Sequence, residues 1–322
     1  MTKTIAVIDG DIIAFRAAAA NEVRSVKAVH KVTGEEITCA HRTALKEQIK
    51  GAFLLEEFDV IDVQTPEDIS HAIHSLKSTI ERLKNSCETE EIEIYLGGKD
   101  NFRDSLPLPT KYKFGRDKDI RPVQLKEVRD YLVKHQGAVI INNYESDDKL
   151  AMRCYEGLQQ GVKTIACTLD GDQNGVNGWM YNWNKHSEPF LVQGFGEITL
   201  NDKRNDFDGY GRKFFYAQWV YGDWGTDKFK PVDLAGKSFG VVAMYNLLKD
   251  CKTDKEAVQA IYSQYKSWYG VEPIKYTAWD GTEQEKTLFE FMDMYAACCH
   301  MLRFEGDKIC TKTLLDKLKI EY

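Results

Sequence analysis

Residues 5–11 read Ile-Ala-Val-Ile-Asp-Gly-Asp, and the fold reading starts from them. An unbroken apolar run of this kind marks a strand buried on both faces, the situation of a parallel sheet. The run stops at Asp9-Gly10-Asp11, a polar tip, and Ile12–Ala20 then carries helical patterning. The alternation recurs further along. Ile69–Leu83 spaces its apolar residues for a helix, Ile92–Leu96 reads as a strand and Val123–Val133 as a helix. Ala138–Ile141 reads as a strand, Asp147–Gln160 as a helix with Ser146 at its N-cap, and Thr164–Leu169 as a strand. Strands that alternate with helices predict an α/β domain on a parallel sheet. Past Glu197 the texture changes. Asn201–Gly211 is polar and rich in Gly and Asp and reads as a linker, and from Lys213 the patterning is mostly helical and aromatic. The predicted division is an α/β domain over residues 1–200 and a smaller helical domain over 201–322.

Composition bounds the function. The 322 residues are 43% apolar and 29% charged, enough apolar material for a sizeable core. That excludes a disordered tail protein, a collagen and a disulfide miniprotein. No stretch approaches the roughly 18–20 apolar residues of a membrane span. The opening MTKTIAVIDG has four apolar residues in a row before Asp9, which is not the pattern of a secretion signal. Eight cysteines show no C-x-x-C spacing, so reduced thiols in a cytoplasm-like compartment are expected. The net charge is −7, yet Lys99–Lys134 holds ten basic and six acidic residues, a local +4 in a chain whose remainder sums to −11. A basic segment in an acidic protein is an electrostatic footprint for phosphate.

The acids stand where predicted strands end. Asp9 and Asp11 follow the first strand, Glu145, Asp147 and Asp148 follow Ala138–Ile141, and Asp170 and Asp172 follow Thr164–Leu169. In open parallel sheets such ends converge on one crevice. Carboxylates gathered there repel unless cations neutralise them. Hard oxygen donors suit Mg²⁺ or Mn²⁺, and two such ions about 3.5–4 Å apart form the clamp of phosphodiester cleavage. One acid at a strand end is more often a helix cap or dipole partner. Three clusters together with a basic segment favour the metal reading.

Other chemistries fit less well. Asp170–Gly175 imitates the start of a calcium loop, but the twelfth position is Tyr181 where a bidentate Glu is needed. His71 and His74 have no further zinc ligand at a matching spacing and are expected on a solvated face. Cys298, Cys299 and His300 are consecutive and are read as core. There is no G-x-x-x-x-G-K-[ST] and no G-x-S-x-G. The serious competitor is a haloacid-dehalogenase-type phosphatase. It makes Asp9 a covalent nucleophile, Thr168 the strand-end hydroxyl and Asp223 and Asp227 the late acidic motif. It gives the Glu145 cluster and the basic segment no role. Its late motif also needs a preceding buried strand, whereas Phe214–Tyr221 reads as helix.

In order and spacing, the motifs resemble the 5′ nuclease family of flap endonucleases and 5′→3′ exonucleases, most of all the single-chain bacteriophage exonucleases. The carriers are VIDGDIIAF (7–15), NFRDSLPLPTKYKFGR (101–116), YESDDKLA (144–151), TLDGDQ (168–173) and YGDWGTD (221–227). The resemblance implies a PIN-like parallel sheet flanked by helices, with a helical arch around 101–134. It also implies a C-terminal helical domain holding a degenerate helix–hairpin–helix. It implies metal ligation by Asp9, Glu145, Asp147, Asp148, Asp170, Asp172, Asp223 and Asp227. Two Mg²⁺ ions are the implied cofactors, with Mn²⁺ as a substitute. Lys113 and Arg116 match the family's catalytic cations, and Tyr112 the ring that stacks on an unpeeled base. Lys111, Lys118, Arg121, Lys126 and Arg129 are implied as phosphate contacts. Where the family has a second-strand metal Asp, this chain reads YLGGKDN, and Asp100 is the substitute from the loop. SFGVVAMYNLL (238–248) keeps Gly240 of the hairpin turn, with Lys237 as the adjacent cation. The implied activity is cleavage near 5′ ends or flaps of DNA, RNA–DNA hybrids included. The implied setting is replication or primer removal in the cytoplasm of a phage-infected cell, with no membrane partner and no protein partner inferable from the sequence. A catalytically weakened DNA-binding homologue is the alternative raised by Leu96–Gly98.

Overall fold

The computed structural model describes residues 3–116, 120–201, 203 and 205–322. Contacts group the chain into two compact units. The first takes residues 1–10, 83–119 and 138–322, the second residues 11–82 and 120–137. Residue 200 lies inside the first unit.

The first unit is built on a six-stranded sheet. Its order is Val139–Ile141, Ile92–Gly97, Thr4–Asp9, Lys163–Cys167, Gly178–Tyr181 and Phe190–Val192. The first five run parallel and the last pairs antiparallel. Ala6, Val7 and Ile8 are fully buried, as a central strand covered on both faces requires. From Thr4–Asp9 the chain adds strands on one side, then crosses back to place Lys163–Cys167 on the other. That reversal of direction is a topological switch point, where open α/β sheets bind their ligands. Helix Ser146–Gln160 packs Leu150 and Cys154 onto the sheet beside Ile5, Val7 and Ala166. A larger aromatic core, centred on Trp219, Tyr265, Phe291 and Tyr295, joins helices Arg212–Tyr221, Val241–Leu248, Asp254–Tyr269 and Leu288–Cys299.

Gly10 follows Asp9 and is a position of close approach. A Cβ there would lie 2.7 Å from the Tyr95 carbonyl oxygen and 2.8 Å from Leu96 Cδ2. Gly10→Ala is therefore expected to cost about 1–3 kcal/mol through overpacking. Urea denaturation checks this, and unchanged stability would contradict so tight a contact.

The second unit carries a three-stranded antiparallel sheet, Glu36–Cys39, Glu22–His30 and Phe58–Pro66, covered by helix Arg42–Ile49. Val26, Ala28, Cys39, Leu45, Ile49 and Phe58 form its core. Sequence patterning assigns no element over residues 22–66. The strands face water on one side, and charged residues such as Arg24 and Lys27 interrupt the apolar alternation.

Three further expectations change. Asn201–Gly211 is not a linker: Glu197–Asn201 and Asp206–Tyr210 pair as an antiparallel hairpin. Its inward residues, Ile198, Leu200 and Phe207, pack on the aromatic core, while Gly and Asp hide the alternation in the sequence. The arch expected around 101–134 is helical only in part: helix Leu125–Gln136 begins within it, and the described residues of 101–124 are mostly turns and loop. They hold a short 3-10 helix, Phe102–Ser105, and turns over 112–115, in a stretch punctuated by Pro107, Pro109, Gly115 and Pro122. Helix Leu125–Gln136 belongs to the second unit. The C-terminal stretch is mostly helical, as expected, but includes a hairpin of Ile274–Thr277 with Glu283–Lys286. Among the described residues, no helix is long and apolar enough to cross a membrane.

Candidate metal centre

Four segments of the first unit meet at the C-terminal edge of the sheet. Asp9 ends its strand and is 4% exposed, and its Oδ2 accepts a hydrogen bond from Thr168 Oγ1 at 3.0 Å. Thr168 Oγ1 accepts from the Asp170 N–H at 3.1 Å, and Asp170 Oδ1 accepts from the Asp172 N–H at 2.9 Å. Asp172 Oδ1 also accepts from Gln218 Nε2 on helix Arg212–Tyr221, at 2.5 Å. The loop after that helix carries Asp223 and Asp227.

Glu145, Asp147 and Asp148 bring ligand atoms within 4.8 Å of one another. They open helix Ser146–Gln160, whose N-cap is Glu145 and not Ser146. Capping decides this. Asp148, three residues in, turns its carboxylate back to accept the Glu145 N–H at 3.1 Å.

Burial and mutual repulsion perturb these acids. Burial first, then the charges of Glu145, Asp148 and Asp170, push Asp147 well above the ordinary carboxylate range. Burial, then Asp170 and Asp227, do the same to Asp172. Asp227 is pushed up to about 6 by burial, with Lys113 opposing. Glu145, Asp147, Asp148, Asp170, Asp172, Asp223 and Asp227 thus form one electrostatic cluster, each acting on another. Asp100 stands outside it on an exposed loop, at φ 65°.

Cations of the 101–116 segment face the cluster. Lys113 Nζ pairs with Glu145 Oε1 and lies 3.8 Å from Asp227 Oδ1. Burial works against its charge, but Glu145, Asp227 and Asp147 outweigh burial and raise its pKa. Arg116 Nη2 reaches Asp227 Oδ1 at 3.3 Å. The Lys113 N–H donates to the Asp227 carbonyl at 2.8 Å, which anchors the segment to the acidic loop.

Tyr112 does not offer a stacking surface. Its ring is 2% exposed within the aromatic core, and its hydroxyl donates to Asp227 Oδ2 at 2.7 Å and Glu145 Oε2 at 3.3 Å.

Arg103 was quoted in the sequence motif without a role, and the structure gives it one. It is 1% exposed. Nη1 and Nη2 clasp both oxygens of Asp148 at 2.6 and 2.9 Å. Nη1 also reaches Glu145 Oε2 at 3.4 Å, Nε donates to the Ala297 carbonyl at 3.1 Å and Nη2 to that of His300 at 2.8 Å. Asp148, fully buried, additionally accepts the Leu302 N–H at 3.2 Å. Asp148 is thereby the counter-ion of Arg103. Nothing in the sequence distinguished this arginine from its solvated neighbours in a basic run.

Lys111 sits 5.1 Å from the ring centroid of Trp279. Lys118 lies outside the described residues. Arg121, Lys126 and Arg129 belong to the second unit. There Arg121 is exposed, Lys126 pairs with Asp130 at 3.0 Å, and Arg129 pairs with Asp11. At the expected hairpin, the short turn Asp233–Ala235 ends at Gly236, φ 61°. Gly240 then caps helix Val241–Leu248, and Lys237 Nζ donates to the Ser267 carbonyl at 2.7 Å. His71 pairs with Glu67 on an exposed face, and Cys298 and Cys299 are buried in the core.

Comparison with solved structures fits this topology. A bacteriophage T5 flap endonuclease, in a pseudo-enzyme–product complex with DNA and metal ions, matches with a TM-score of 0.52 and 13% identity. The match covers 98% of this chain and 100% of that one. The chain has the 5′ nuclease fold. A second structure of the T5 D15 protein, co-crystallised with metal ions, matches with a TM-score of 0.51 at 14% identity over 98% of this chain and 97% of that one. A T5 5′-exonuclease variant matches at 0.50 and 14%, over 98% and 96%. Neither a family model nor a curated protein matches the sequence.

Proposed function

We propose that the chain is a divalent-metal-dependent 5′ nuclease that cuts phosphodiester bonds near DNA 5′ ends or flaps. The observation that carries the reading is the cluster itself. Seven carboxylates influence one another at the sheet's switch point, three of them with raised pKa values, and Lys113 and Arg116 face them. The donors are hard oxygens, as Mg²⁺ and Mn²⁺ prefer, and divalent cations relieve the repulsion among the carboxylates. Solved relatives in fold carry metal ions and DNA, which supports the same use here.

In this reading Glu145, Asp147, Asp170 and Asp172 hold the metal, with Asp9, Asp223 and Asp227 around them. When bound, the ions stabilise charge on the phosphate and lower the pKa of water. Lys113 and Arg116 leave their carboxylates for the scissile phosphate and steady it from the other side. Asp148 stays with Arg103. Residues 201–322 contribute duplex contacts, Lys237 and the Gly240 helix start among them, and Lys111, Arg121, Lys126 and Arg129 contribute phosphate contacts without sequence preference. A part in replication or primer removal in a phage-infected cytoplasm goes with this activity.

The phosphatase reading has no support. Asp223 follows helix Arg212–Tyr221 where that mechanism needs a buried strand. A 5′-labelled flap substrate tests the choice. Release of short 5′ products with Mg²⁺ and none with EDTA is expected. Rapid turnover of a small phosphomonoester with no flap cleavage would overturn it. Lys113→Ala is expected to lower the cleavage rate more than it weakens substrate binding, and a loss confined to affinity would contradict the catalytic role.

The raised carboxyls also predict a pH dependence. Asp227 titrates near 6 in the fold, against about 3.9 in an unfolded chain. Its proton stabilises the metal-free fold at low pH, and that contribution is lost as pH rises through about 6. Asp147 and Asp172 shift in the same direction. Metal takes the place of protons, so Mn²⁺ should raise the melting temperature more at pH 8 than at pH 5. Equal increments at the two pH values would contradict this.

A further inference from the structure

Helix Arg212–Tyr221 turns a neutral side chain toward the carboxylate cluster. Gln218 is 6% exposed, and its Nε2 donates to Asp172 Oδ1 at 2.5 Å. Both ends of that bond stand on fixed backbone. The Gly211 N–H, at the N-cap of the helix, donates to the Asn174 carbonyl at 2.8 Å and ties the turn Asp172–Gly175 to the helix. Trp219, the next residue, is fully enclosed. Its Nε1–H donates to the Met292 carbonyl at 2.9 Å, and its own carbonyl accepts the Tyr265 hydroxyl at 2.7 Å. The Gln218 carbonyl accepts the Gly222 N–H at 2.7 Å, one residue before Asp223.

The charge of the partner sets this contact apart. Glu145, Asp148 and Asp227 meet lysine or arginine, whereas the helix offers Asp172 an uncharged amide. An amide donor orients a carboxylate without neutralising it, so the anion stays available to a cation. The other half of the amide is unsatisfied. Gln218 Oε1 is buried and has no hydrogen-bond partner. Turning the amide over does not help, because Oε1 would then meet an Asp172 oxygen, acceptor against acceptor. A buried amide oxygen without a donor costs free energy, and water is the usual donor to such groups. A hydrated divalent ion beside Asp172 brings that donor with it.

We propose that Gln218 is a positioning residue of the metal centre: its amide nitrogen aims Asp172 at a hydrated divalent cation, and its amide oxygen accepts from water in that cation's shell. The inference rests on the metal-dependent nuclease reading and deepens it at one ligand.

The test measures Mn²⁺ binding to the full chain by titration calorimetry, without DNA. Gln218→Met keeps the length of the side chain and removes both amide groups. It is expected to weaken Mn²⁺ binding about 10–100-fold, the usual cost of losing an outer partner of a metal ligand. With EDTA its melting temperature should not fall, because the unsatisfied buried oxygen leaves with the amide. The same change is then made in Asp172→Asn. There the further loss of Mn²⁺ affinity should be at most about threefold, since Gln218 acts through Asp172 and the two effects are not independent. Equal losses in both backgrounds overturn the proposal. So does a Gln218→Met protein that binds Mn²⁺ as the wild type does, whether or not it melts earlier. If Gln218→Met does not fold, Gln218→Leu decides by the same measurements. Wild-type flap cleavage with Mg²⁺ is run alongside. Cleavage together with Mn²⁺ affinity that ignores Gln218→Met removes the role of Gln218 alone. Mn²⁺ binding that depends on Gln218, without cleavage, removes the nuclease reading alone.

Discussion

Arg103→Met is expected to cost about 3–5 kcal/mol of folding stability, the penalty for leaving a buried charge without its partner. Arg103 and Asp148 are both enclosed, and the guanidinium also ties down the carbonyls that end helix Leu288–Cys299. Removing the arginine strands the Asp148 carboxylate and releases two backbone acceptors. Removing both charges in Arg103→Met/Asp148→Leu is expected to cost less than Arg103→Met alone, because no uncompensated ion remains. Urea denaturation followed by circular dichroism checks the pair. A loss below about 1 kcal/mol for Arg103→Met would be the worth of an exposed pair and would contradict this account of Arg103.

The second large effect separates neighbours in the sequence. Asp147→Asn is expected to lower cleavage by more than about a hundredfold, beyond the usual cost of losing an outer partner of a metal ligand. The same change should raise the stability of the metal-free protein at neutral pH. Asp147 is held in a form it resists, by burial and by the charges of Glu145, Asp148 and Asp170, and an amide removes that repulsion. Activity and stability then move in opposite directions, as expected where a fold tolerates repulsion for the sake of a site. Asp148→Asn should instead lower stability, since it weakens the clasp of Arg103. Flap cleavage assays and thermal unfolding with EDTA check both. An Asp147→Asn protein that cuts normally, or that melts earlier, would contradict the assignment.

The parallel sheet was legible because its strands are buried on both faces. Ile5–Ile8 and Ile165–Cys167 show as unbroken apolar runs, and the acids that follow them mark the crevice. The Glu22–His30 strand was not legible. It is half-buried: Lys27 sits between buried Val26 and Ala28, and Arg24 is exposed where the alternation calls for an apolar residue. The Glu197–Asn201 hairpin was lost for a related reason. Gly209 and three aspartates give its composition the look of a loop, while Gly209 is needed because a Cβ there would meet the Glu197 carbonyl at 2.4 Å. In the site, side-chain identity placed the acids but not their partners. Asp147 and Asp148 are the same residue type one position apart. Only the fold shows that one faces other carboxylates and the other an arginine 45 positions away in sequence. Tyr112 shows the same limit, since its motif gives no sign that the ring is enclosed.

The most direct test is diffraction from crystals soaked in Mn²⁺, with anomalous peaks locating the ions. The account predicts manganese bound by Glu145, Asp147, Asp170 and Asp172, with Asp148 still clasped by Arg103. Peaks elsewhere on the molecule, or none within reach of these carboxylates, would contradict it.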